Sequence, residues 1–326
     1  MKTRILFTVL LLSGLFLFCQ GIKTGNAAEF PSRPVELILS GSPGGATDIG
    51  VRVIGPALSK ELGVPVIFTN KGGASGALSA EYVARAKPDG YTILAASGNV
   101  FTVIPVMNPS VPYRLSNFIP ICKYANSPPL FVVRKASPFK RLEDLISYAK
   151  KNPGKLTCGT AGTGTTSQLC MEMFKIEAGL DIVHMPTKSG GEDAIALLGG
   201  QVDFTSHAGP PILGLVQSGE ARCLAVASDK RLSYFPDVPT LGEFGYPKAN
   251  TLLYWLGFYL PKETPKPVVD KLASVFEKAI KTPTVKEGLE KVGDLLDYQD
   301  GPTLAKFIPE EYKIMEELFQ KTKLTK

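Results

Sequence analysis

Apolar residues are grouped along this chain in two alternating ways. Short apolar runs bounded by glycine or proline alternate with longer segments in which apolar residues recur every three to four positions. The short runs predict strands and the longer segments predict helices. In the first part of the chain the predicted strands are 34–40, 64–70 and 91–97, and the predicted helices are 46–62 and 76–86. This succession is typical of a mostly parallel sheet covered by helices.

The same alternation begins again near residue 130. Predicted strands follow at 130–134, 156–159, 182–185, 202–206 and 223–227, with predicted helices at 142–151, 165–178, 191–198 and 211–217. A proline-containing loop then precedes one more strand, 254–260, and three helices, 265–280, 284–292 and 303–320. Because these last helices have no sheet of their own, we expect them to pack on the first half.

The sequence therefore predicts an α/β protein with two lobes. We expect the chain to cross between them near residues 125–129 and again near 228–230. The predicted division gives lobe 1 residues 29–125 and 230–326, and lobe 2 residues 126–229.

The first 28 residues predict a secretory signal peptide. Lys2 and Arg4 precede the apolar run 5–18, and small residues at 26–28 offer a cleavage site. The run is shorter than the roughly 20 residues that span a membrane. A lipid anchor at Cys19 is an alternative, which the bulky Phe18 before it disfavours. We expect an exported, periplasmic protein.

Composition narrows the possible functions. The chain has 326 residues, of which 44% are hydrophobic and 20% charged, as in ordinary globular proteins. Without residues 1–28, which carry three basic residues and no acid, the formal net charge falls from +6 to +3. No basic run remains, so a nucleic-acid partner is not expected. Two histidines and no C-x-x-C argue against a metal site. Four cysteines lie after residue 28: Cys122, Cys158, Cys170 and Cys223. They are either free or paired in disulfides, and free thiols are favoured.

Four segments rich in glycine and hydroxyl side chains each follow a predicted strand: 40–48, 71–76, 97–99 and 158–167. Unpaired N–H groups at helix starts attract anions, glycine permits close approach, and serine and threonine hydroxyls donate hydrogen bonds. For any one segment a simple turn is an equally good interpretation. Because ligands of open α/β sheets bind at the carboxyl ends of strands, four such segments favour a carboxylate-binding cleft between the lobes.

Single polar residues leave alternatives open. Asp48 opens a predicted helix, where it either stabilises free N–H groups or receives a ligand ammonium or hydroxyl group. His207 follows a predicted strand and is a candidate for the cleft, whereas His184 and Trp255 are expected to pack in the interior. An enzyme that uses Asp48 or His207 for proton transfer is the alternative to a binding protein. The nucleophile motif G-x-S-x-G is absent.

Several motifs, in this order, carry a resemblance to a known family. They include Pro43-Gly44-Gly45 with Asp48 and Arg52, the segment 84–94, the Gly-Gly-Gln-Val-Asp run at 199–203, and the Phe-Pro-Asp-Val-Pro-Thr run at 235–240. The chain resembles the extracytoplasmic solute receptors of tripartite tricarboxylate transporters, the TctC-like or Bug-type family. The resemblance covers essentially the whole chain after the predicted signal peptide.

The resemblance implies a two-lobed, type II-like periplasmic-binding-protein fold with a mixed, mostly parallel sheet in each lobe. It implies a monomeric receptor, not an enzyme, that closes on a small organic carboxylate without a cofactor and delivers it to membrane permease subunits. With His207 added from the strand pattern, the expected ligand-binding residues are Ser42, Gly44, Gly45, Asp48, Ser75, Ser97, Asn99, Thr160, Gly162, Thr163, Thr165 and His207.

Two positions depart from the family pattern. Gln168 stands where the family often has histidine, and Thr187 precedes Lys188 where tyrosine is common. Both positions are expected near the pocket, but these residues do not choose among di-, tri- and aromatic carboxylates. A sensory receptor that presents its closed form to a membrane kinase would share the same binding chemistry.

Overall fold

The computed structural model of the protein describes residues 30–250 and 254–322. The predicted signal peptide and Cys19 lie outside the described residues. The described residues from Arg33 onward form a compact unit of their own, to which the following statements refer. Among the helices of its described residues, none is both long and apolar enough to cross a membrane.

The strands form two sheets. The first contains β1 (Val35–Leu39), β2 (Val66–Asn70), β3 (Thr92–Ser97), β4 (Phe118–Ser127) and two late strands, β10 (Tyr254–Pro261) and β11 (Leu295–Asp300). The second contains β5 (Pro129–Arg134), β6 (Leu156–Thr160), β7 (Ile182–Pro186), β8 (Phe204–Ala208) and β9 (Ala221–Val226). The spatial orders are β11-β4-β10-β3-β1-β2 and β7-β6-β8-β5-β9.

Both sheets are mixed. In the first, β1 is parallel to β2 and β3, whereas β10 is antiparallel to β3 and β4, and β11 is antiparallel to β4. In the second, β6 is parallel to β7 and β8, and β5 is antiparallel to β8 and β9. The candidate ligand-binding segments lie at the carboxyl ends of six strands: β1, β2, β3, β6, β7 and β8.

Helices flank both sheets, which confirms the predicted α/β fold class. The expectation that each sheet is mostly parallel was wrong, because three of five strand pairings in the first sheet and two of four in the second are antiparallel among the described strands. They are α1 (Ala46–Leu62), α2 (Ala77–Ala84), α3 (Asn99–Thr102), α4 (Ile104–Met107), α5 (Leu142–Lys151), α6 (Thr166–Ala178), α7 (Gly190–Leu198), α8 (Gly209–Gln217), α9 (Pro247–Asn250), α10 (Lys266–Ile280), α11 (Pro283–Val292) and α12 (Gly301–Thr322). The start of α1 needs Gly44 at a φ of +73°, and its end uses Gly63 at +71°, a conformation that glycine adopts without strain.

The sequence did not predict β4 and β11. β4 carries Lys123 in its middle, and this lysine is nevertheless buried and ion-paired with Asp297 of β11 at 2.7 Å. Pro120 and Lys123 interrupt the apolar residues of β4. β11 lies at the edge of the sheet and has three polar residues among its six, so neither strand has the uninterrupted apolar pattern that predicts one. These two strands account for much of the antiparallel pairing in the first sheet.

The chain passes from one sheet to the other twice. β4 ends at Ser127 and β5 begins at Pro129 in the second sheet, while β9 ends at Val226 and the next strand, β10, is in the first. The expectation that the last helices pack only on the first half was incomplete. α12 lies against β4, but its Met315 and Phe319 belong to an apolar cluster with residues of the second sheet.

Trp255 is buried, as expected, and lies in the apolar cluster of the first sheet. Its Nε1 donates a hydrogen bond to Oε2 of Glu311 on α12 at 2.8 Å. A Cβ added to Gly98 would fall within 2.1 Å of the indole ring, so the indole occupies the space that any side chain at residue 98 would need. This packing fixes the turn after β3.

Candidate ligand-binding site

The carboxyl ends of parallel strands from both sheets border a single cavity of about 390 Å³. Its wall combines the segments that follow β1, β2 and β3 with those that follow β6 and β7 and with the last two residues of β8. Nine of the residues predicted from sequence line it: Ser42, Gly45, Ser75, Ser97, Asn99, Gly162, Thr163, Thr165 and His207. The other three, Gly44, Asp48 and Thr160, are not part of the wall and contact residues behind it.

Six of the described helices begin at this wall: α1, α2, α3, α6, α7 and α8. The first N–H groups of a helix have no partner inside the helix and carry a partial positive charge. At α1 the residue before the helix is Gly45, which has no side chain to accept them. Within the described residues the N–H groups of Ala46 and Thr47 have no recorded hydrogen bond. The wall therefore presents free donors to an anion.

Asp48 braces the first glycine segment from behind. Its Oδ2 accepts a hydrogen bond from the Gly44 N–H at 2.9 Å, and its Oδ1 accepts bonds from Arg52 Nε at 2.7 Å and Asn70 Nδ2 at 3.1 Å. The carboxylate is buried and paired with the guanidinium group of Arg52, whose positive charge offsets the negative charge of Asp48. The sequence left two roles open for Asp48, stabilising N–H groups at the helix start and contacting a ligand. This geometry matches the first.

A chain of hydrogen bonds braces the second glycine segment. The Gly164 N–H donates to Gln168 Oε1 at 2.7 Å, and Gln168 Nε2 lies 3.3 Å from His184 Nδ1. His184 Nε2 lies 2.7 Å from the Thr160 hydroxyl. Because an amide nitrogen can only donate, Nδ1 of His184 accepts and Nε2 carries the proton. Burial, with a smaller effect from the charge of Lys175, lowers the pKa of His184 to about 4, so the imidazole is neutral at neutral pH.

The segment between β2 and α2 has an unusual backbone. Residues 73–76 all have positive φ, including Ala74 at +46° and Ser75 at +53°. Positive φ is uncommon and costly outside glycine, and such residues cluster at ligand-binding sites. The conformation brings the Ser75 hydroxyl to 2.5 Å from the Thr163 carbonyl oxygen, across the cavity.

Asn99 makes a second connection across the cavity. Its Nδ2 donates to the carbonyl oxygen of Ser75 at 3.1 Å and to that of Gly164 at 3.3 Å, while its Oδ1 accepts from the Ser97 hydroxyl. The side chain is 4% exposed. With its donors and acceptor engaged, Asn99 holds the three segments in register.

Several residues of the wall were not among the twelve expected ligand-binding residues. Thr187, Lys188 and Ser189 follow β7, and the Thr47 hydroxyl lies 2.8 Å from the Tyr254 hydroxyl on the opposite part of the wall. The segment 187–189 follows the carboxyl end of a parallel strand, so the rule that identified the other segments also applies to it.

The wall has no carboxylate among its described residues, and Lys188 is the only Lys or Arg there. His207 is 2% exposed, and its Nδ1 lies 3.0 Å from the Ala208 carbonyl oxygen. A Cβ added to Gly190 would lie 2.7 Å from His207 Nε2, so that nitrogen faces the backbone of α7. The site is thus built mainly from backbone amides and hydroxyl groups.

Comparison with known proteins gives one consistent family. The sequence profile described as "Tripartite tricarboxylate transporter family receptor" matches residues 51–324. The UPF0065 protein in the gbd 5' region of Cupriavidus necator is 36% identical over 303 residues, which cover 92% of this chain and 91% of that protein. Protein BugT of Bordetella pertussis is 31% identical over 294 residues, 89% of each chain.

Solved structures agree with the sequence comparison. The periplasmic binding protein BugD superposes with a TM-score of 0.85 at 32% identity, over 90% of this chain and 99% of that one. Rpa4515 of R. palustris, solved with adipate, gives 0.86 at 28% identity over 90% and 98% of the two chains. MatC of Rhodopseudomonas palustris, solved with bound malate, gives 0.81 at 30% over 88% and 99%.

Proposed function

Because this chain belongs to the family of tripartite tricarboxylate transporter receptors, we propose that it captures a small organic carboxylate in the cavity and delivers it to the membrane subunits of such a transporter. The family and its structural neighbours are receptors that bind solutes. Two neighbours were solved with dicarboxylates, adipate and malate, which supports the same chemical class of ligand here.

One observation carries this proposal: donors from both sheets converge on one cavity whose described wall has no acidic side chain. Hydrogen bonds to a charged group contribute about 1.5–3 kcal/mol each. The free N–H groups at the start of α1 and the unpartnered hydroxyl of Thr163 favour an anion, and no carboxylate of the described wall repels one. A cationic ligand would meet the positive ends of the helices that begin at the wall.

The proposal assigns the twelve expected residues to two roles. The nine that line the cavity contact the ligand, directly or through water, while Gly44, Asp48 and Thr160 keep the two glycine segments in shape. In this proposal neither Asp48 nor His207 transfers a proton: the Asp48 carboxylate is bound by Gly44, Arg52 and Asn70, and His207 Nε2 lies against the backbone of α7.

We propose that the receptor works by closure of two lobes, residues 29–125 with 230–326 and residues 126–229. A ligand that touches both walls binds the closed form better than the open form, and that difference in affinity is what shifts the equilibrium. The two crossings between the sheets, after Ser127 and between Val226 and Tyr254, then serve as the hinge. The permease would recognise the closed form.

The same proposal includes the surroundings of the receptor. Residues 1–28 direct export and are removed, the mature protein is a periplasmic monomer, and it needs no cofactor or nucleic acid. The net charge of +3 for the mature chain is compatible with a small anionic ligand.

Native mass spectrometry of the freshly purified mature protein tests the proposal, combined with calorimetric titration of di-, tri- and aromatic carboxylates. We expect a retained small acid, or a carboxylate that binds with micromolar affinity or better and is recovered unchanged after long incubation. Failure of every carboxylate to bind would contradict the proposal, and chemical conversion of a bound acid would indicate an enzyme.

A further inference from the structure

Two glycines bring the backbones of the proposed lobes into direct contact. Gly209 is the first residue of α8 and directly follows two wall residues, His207 and Ala208. A Cβ built on Gly209 would lie 2.8 Å from the carbonyl oxygen of Gly293 and 3.3 Å from its Cα. Gly209 belongs to the proposed lobe 2, and Gly293, which follows α11, belongs to lobe 1. The two lobes therefore touch here without an intervening side chain.

The backbone of lobe 1 is held in place at this contact. The Gly293 N–H donates to the carbonyl oxygen of Glu290 at 3.1 Å, and the Asp294 N–H donates to that of Leu289 at 2.9 Å. The Tyr234 hydroxyl donates to the Gly293 carbonyl oxygen at 2.9 Å. Gly293 has a φ of +90°, a conformation that glycine adopts without strain at the end of a helix. Moving Gly293 away from α8 would therefore disturb the hydrogen bonds that end α11.

On the side of lobe 2, it is the lack of space that requires a glycine. Gly209 does not have a positive φ, so its backbone conformation suits other residues as well. One helical turn later, Leu213 also packs on lobe 1, since a Cβ built on Gly293 would lie 3.1 Å from Leu213 Cδ2. α8 as a whole lies against α1 and α11 of lobe 1. The close approach of two backbones is thus the feature that a side chain at residue 209 would remove.

The contact is close to a crossing between the sheets and to the cavity wall. Ala208 of the wall pairs with Pro129, which begins β5 just after the crossing at Ser127. If the lobes turn about the crossings, a small separation near this point changes their distance across the cavity. The hydrogen bond from Ser75 to Thr163 across the cavity requires that distance to be short.

We propose that the contact between Gly209 and Gly293 sets how far the two lobes close, so that both glycines are positioning residues for ligand binding. This inference rests on the proposed function. Without side chains at these residues, the lobes approach until their backbones touch, and donors of both lobes then reach the same carboxylate. Carbon atoms in contact lie about 3.5–4.0 Å apart, so a methyl group on Gly209 holds the lobes apart. Hydrogen bonds to the ligand lengthen and weaken as a result.

The test compares Gly209→Ala with Gly214→Ala in calorimetric titrations of the mature protein with adipate, malate and citrate. Gly214 is a matched control, because it lies on the same helix and a Cβ there would meet no described atom within 4 Å. Pulsed electron paramagnetic resonance then measures the distance between the lobes with and without acid. The spin labels are attached at Tyr82→Cys in lobe 1 and Ile195→Cys in lobe 2, both exposed positions. The native cysteines of the described residues are buried, which keeps them from the label.

We expect Gly209→Ala to weaken binding by roughly tenfold or more, the factor that corresponds to one lost hydrogen bond to a charged group. The shortest distances between the labels should be missing in this variant. Gly214→Ala should bind within about twofold of the wild type and give the same distances. The two ligand-free variants should melt within about 2 °C of each other, because each lobe keeps its own core.

Unchanged affinity of Gly209→Ala would overturn the proposal, as would weaker binding with unchanged label distances, which would indicate a local effect on the wall. A much lower melting temperature than that of Gly214→Ala would also overturn it, since the contact would then be a fixed part of the fold. If the wild-type protein binds none of the acids, the proposed function fails, whereas the label distances of the ligand-free proteins still show whether residue 209 limits closure.

Discussion

The hydroxyl group of Ser75 donates a hydrogen bond to the carbonyl oxygen of Thr163, with 2.5 Å between the two oxygens. Ser75 follows a strand of the first sheet and Thr163 a strand of the second, so the bond spans the cavity. The bond from Asn99 Nδ2 to the Gly164 carbonyl oxygen at 3.3 Å lies beside it. Both bonds require that the two glycine segments stay close together.

Ser75→Ala removes one of these bonds and should weaken ligand binding. A typical hydrogen bond contributes about 0.5–1.5 kcal/mol, which corresponds to a loss of affinity of roughly two- to tenfold if the bond forms only in the closed arrangement. Calorimetric titration with the tightest carboxylate measures the change. Ser110→Ala is the control, because Ser110 is exposed and its hydroxyl has no recorded hydrogen bond in the described residues.

Ser75→Gly separates the bond from the backbone strain. It also removes the hydroxyl, but it relieves the positive φ of +53°. We expect Ser75→Gly to weaken binding as Ser75→Ala does while stabilising the fold slightly relative to alanine. An unchanged affinity in both variants would mean that the cross-cavity bond does not contribute to closure.

Thr163→Val should weaken carboxylate binding more than Ser75→Ala. Thr163 lines the cavity, and its hydroxyl has no recorded partner in the described residues, so it is free to donate to a ligand. Loss of one hydrogen bond to a charged group costs about 1.5–3 kcal/mol, or roughly ten- to a hundredfold in affinity. Thr163→Ser keeps the hydroxyl and should bind within a few-fold of the wild type. Similar affinities of the valine and serine variants would exclude a hydroxyl contact.

His184 should remain neutral throughout the physiological pH range. Burial lowers its pKa to about 4, with a smaller contribution from the positive charge of Lys175. Because the unfolded chain binds the proton near its usual pKa of 6.5, stability from this group is present above pH 6.5 and is lost as the pH falls toward 4. Nitrogen-15 NMR of the imidazole rings measures the titration directly.

The two histidines make that measurement simple. His207→Gln assigns the signals, since the chain has only two histidines. Titration of His184 near pH 6.5 would contradict the tautomer derived from its contacts with Gln168 and Thr160. Gln168→Leu should then raise the histidine pKa little but loosen the Gly164 turn, because Gly164 loses the acceptor of its N–H.

Much of the fold follows from local sequence. The bounds of helix 46–62 were predicted to the residue, because Gly45 and Gly63 flank a regular apolar spacing. β4 was missed because its buried lysine looks like a surface residue until Asp297, 174 positions later, supplies the counter-charge. Pairs so distant in sequence have no local signal.

The site shows the same division. Nine of the twelve expected residues line the wall. Which of the twelve line the wall and which support it from behind depends on contacts that the sequence does not display. Asp48 is adjacent to the ligand segment, yet Asn70 and Arg52 engage it from behind. The segment with Thr187 and Lys188, expected near the pocket because it departs from the family pattern, lies on the wall.

Asp294 should make the protein less stable at alkaline pH. Its carboxyl group is fully buried, and neither oxygen has a recorded hydrogen bond of 3.5 Å or less in the described residues. Burial raises its pKa from 3.8 to about 7, against a lowering effect of the nearby Ser127 hydroxyl. The folded state therefore holds a proton that the unfolded state releases above about pH 4, and stability falls as the pH rises from there to about 7.

Asp294→Asn should remove this pH dependence. Urea unfolding at about pH 5 and about pH 8 should show that the wild type loses roughly 2–3 kcal/mol more than the variant between these values. Asp229→Asn, at an exposed position, is the control and should behave as the wild type. Parallel pH profiles for all three proteins would show that Asp294 ionises normally. Glu311, whose pKa burial raises to about 7, adds a similar slope that Glu311→Gln should remove.

The four described cysteines should be unreactive in the folded protein and reactive after unfolding. Cys122, Cys158, Cys170 and Cys223 are free and buried, and burial raises the pKa of each thiol. Since the thiolate is the reactive form, a water-soluble thiol reagent should label none of them without denaturant. In guanidinium chloride without reductant it should label all four thiols on protein purified from the periplasm. Two or none would indicate disulfides, and a fifth would show that Cys19 has been retained with the N-terminal segment.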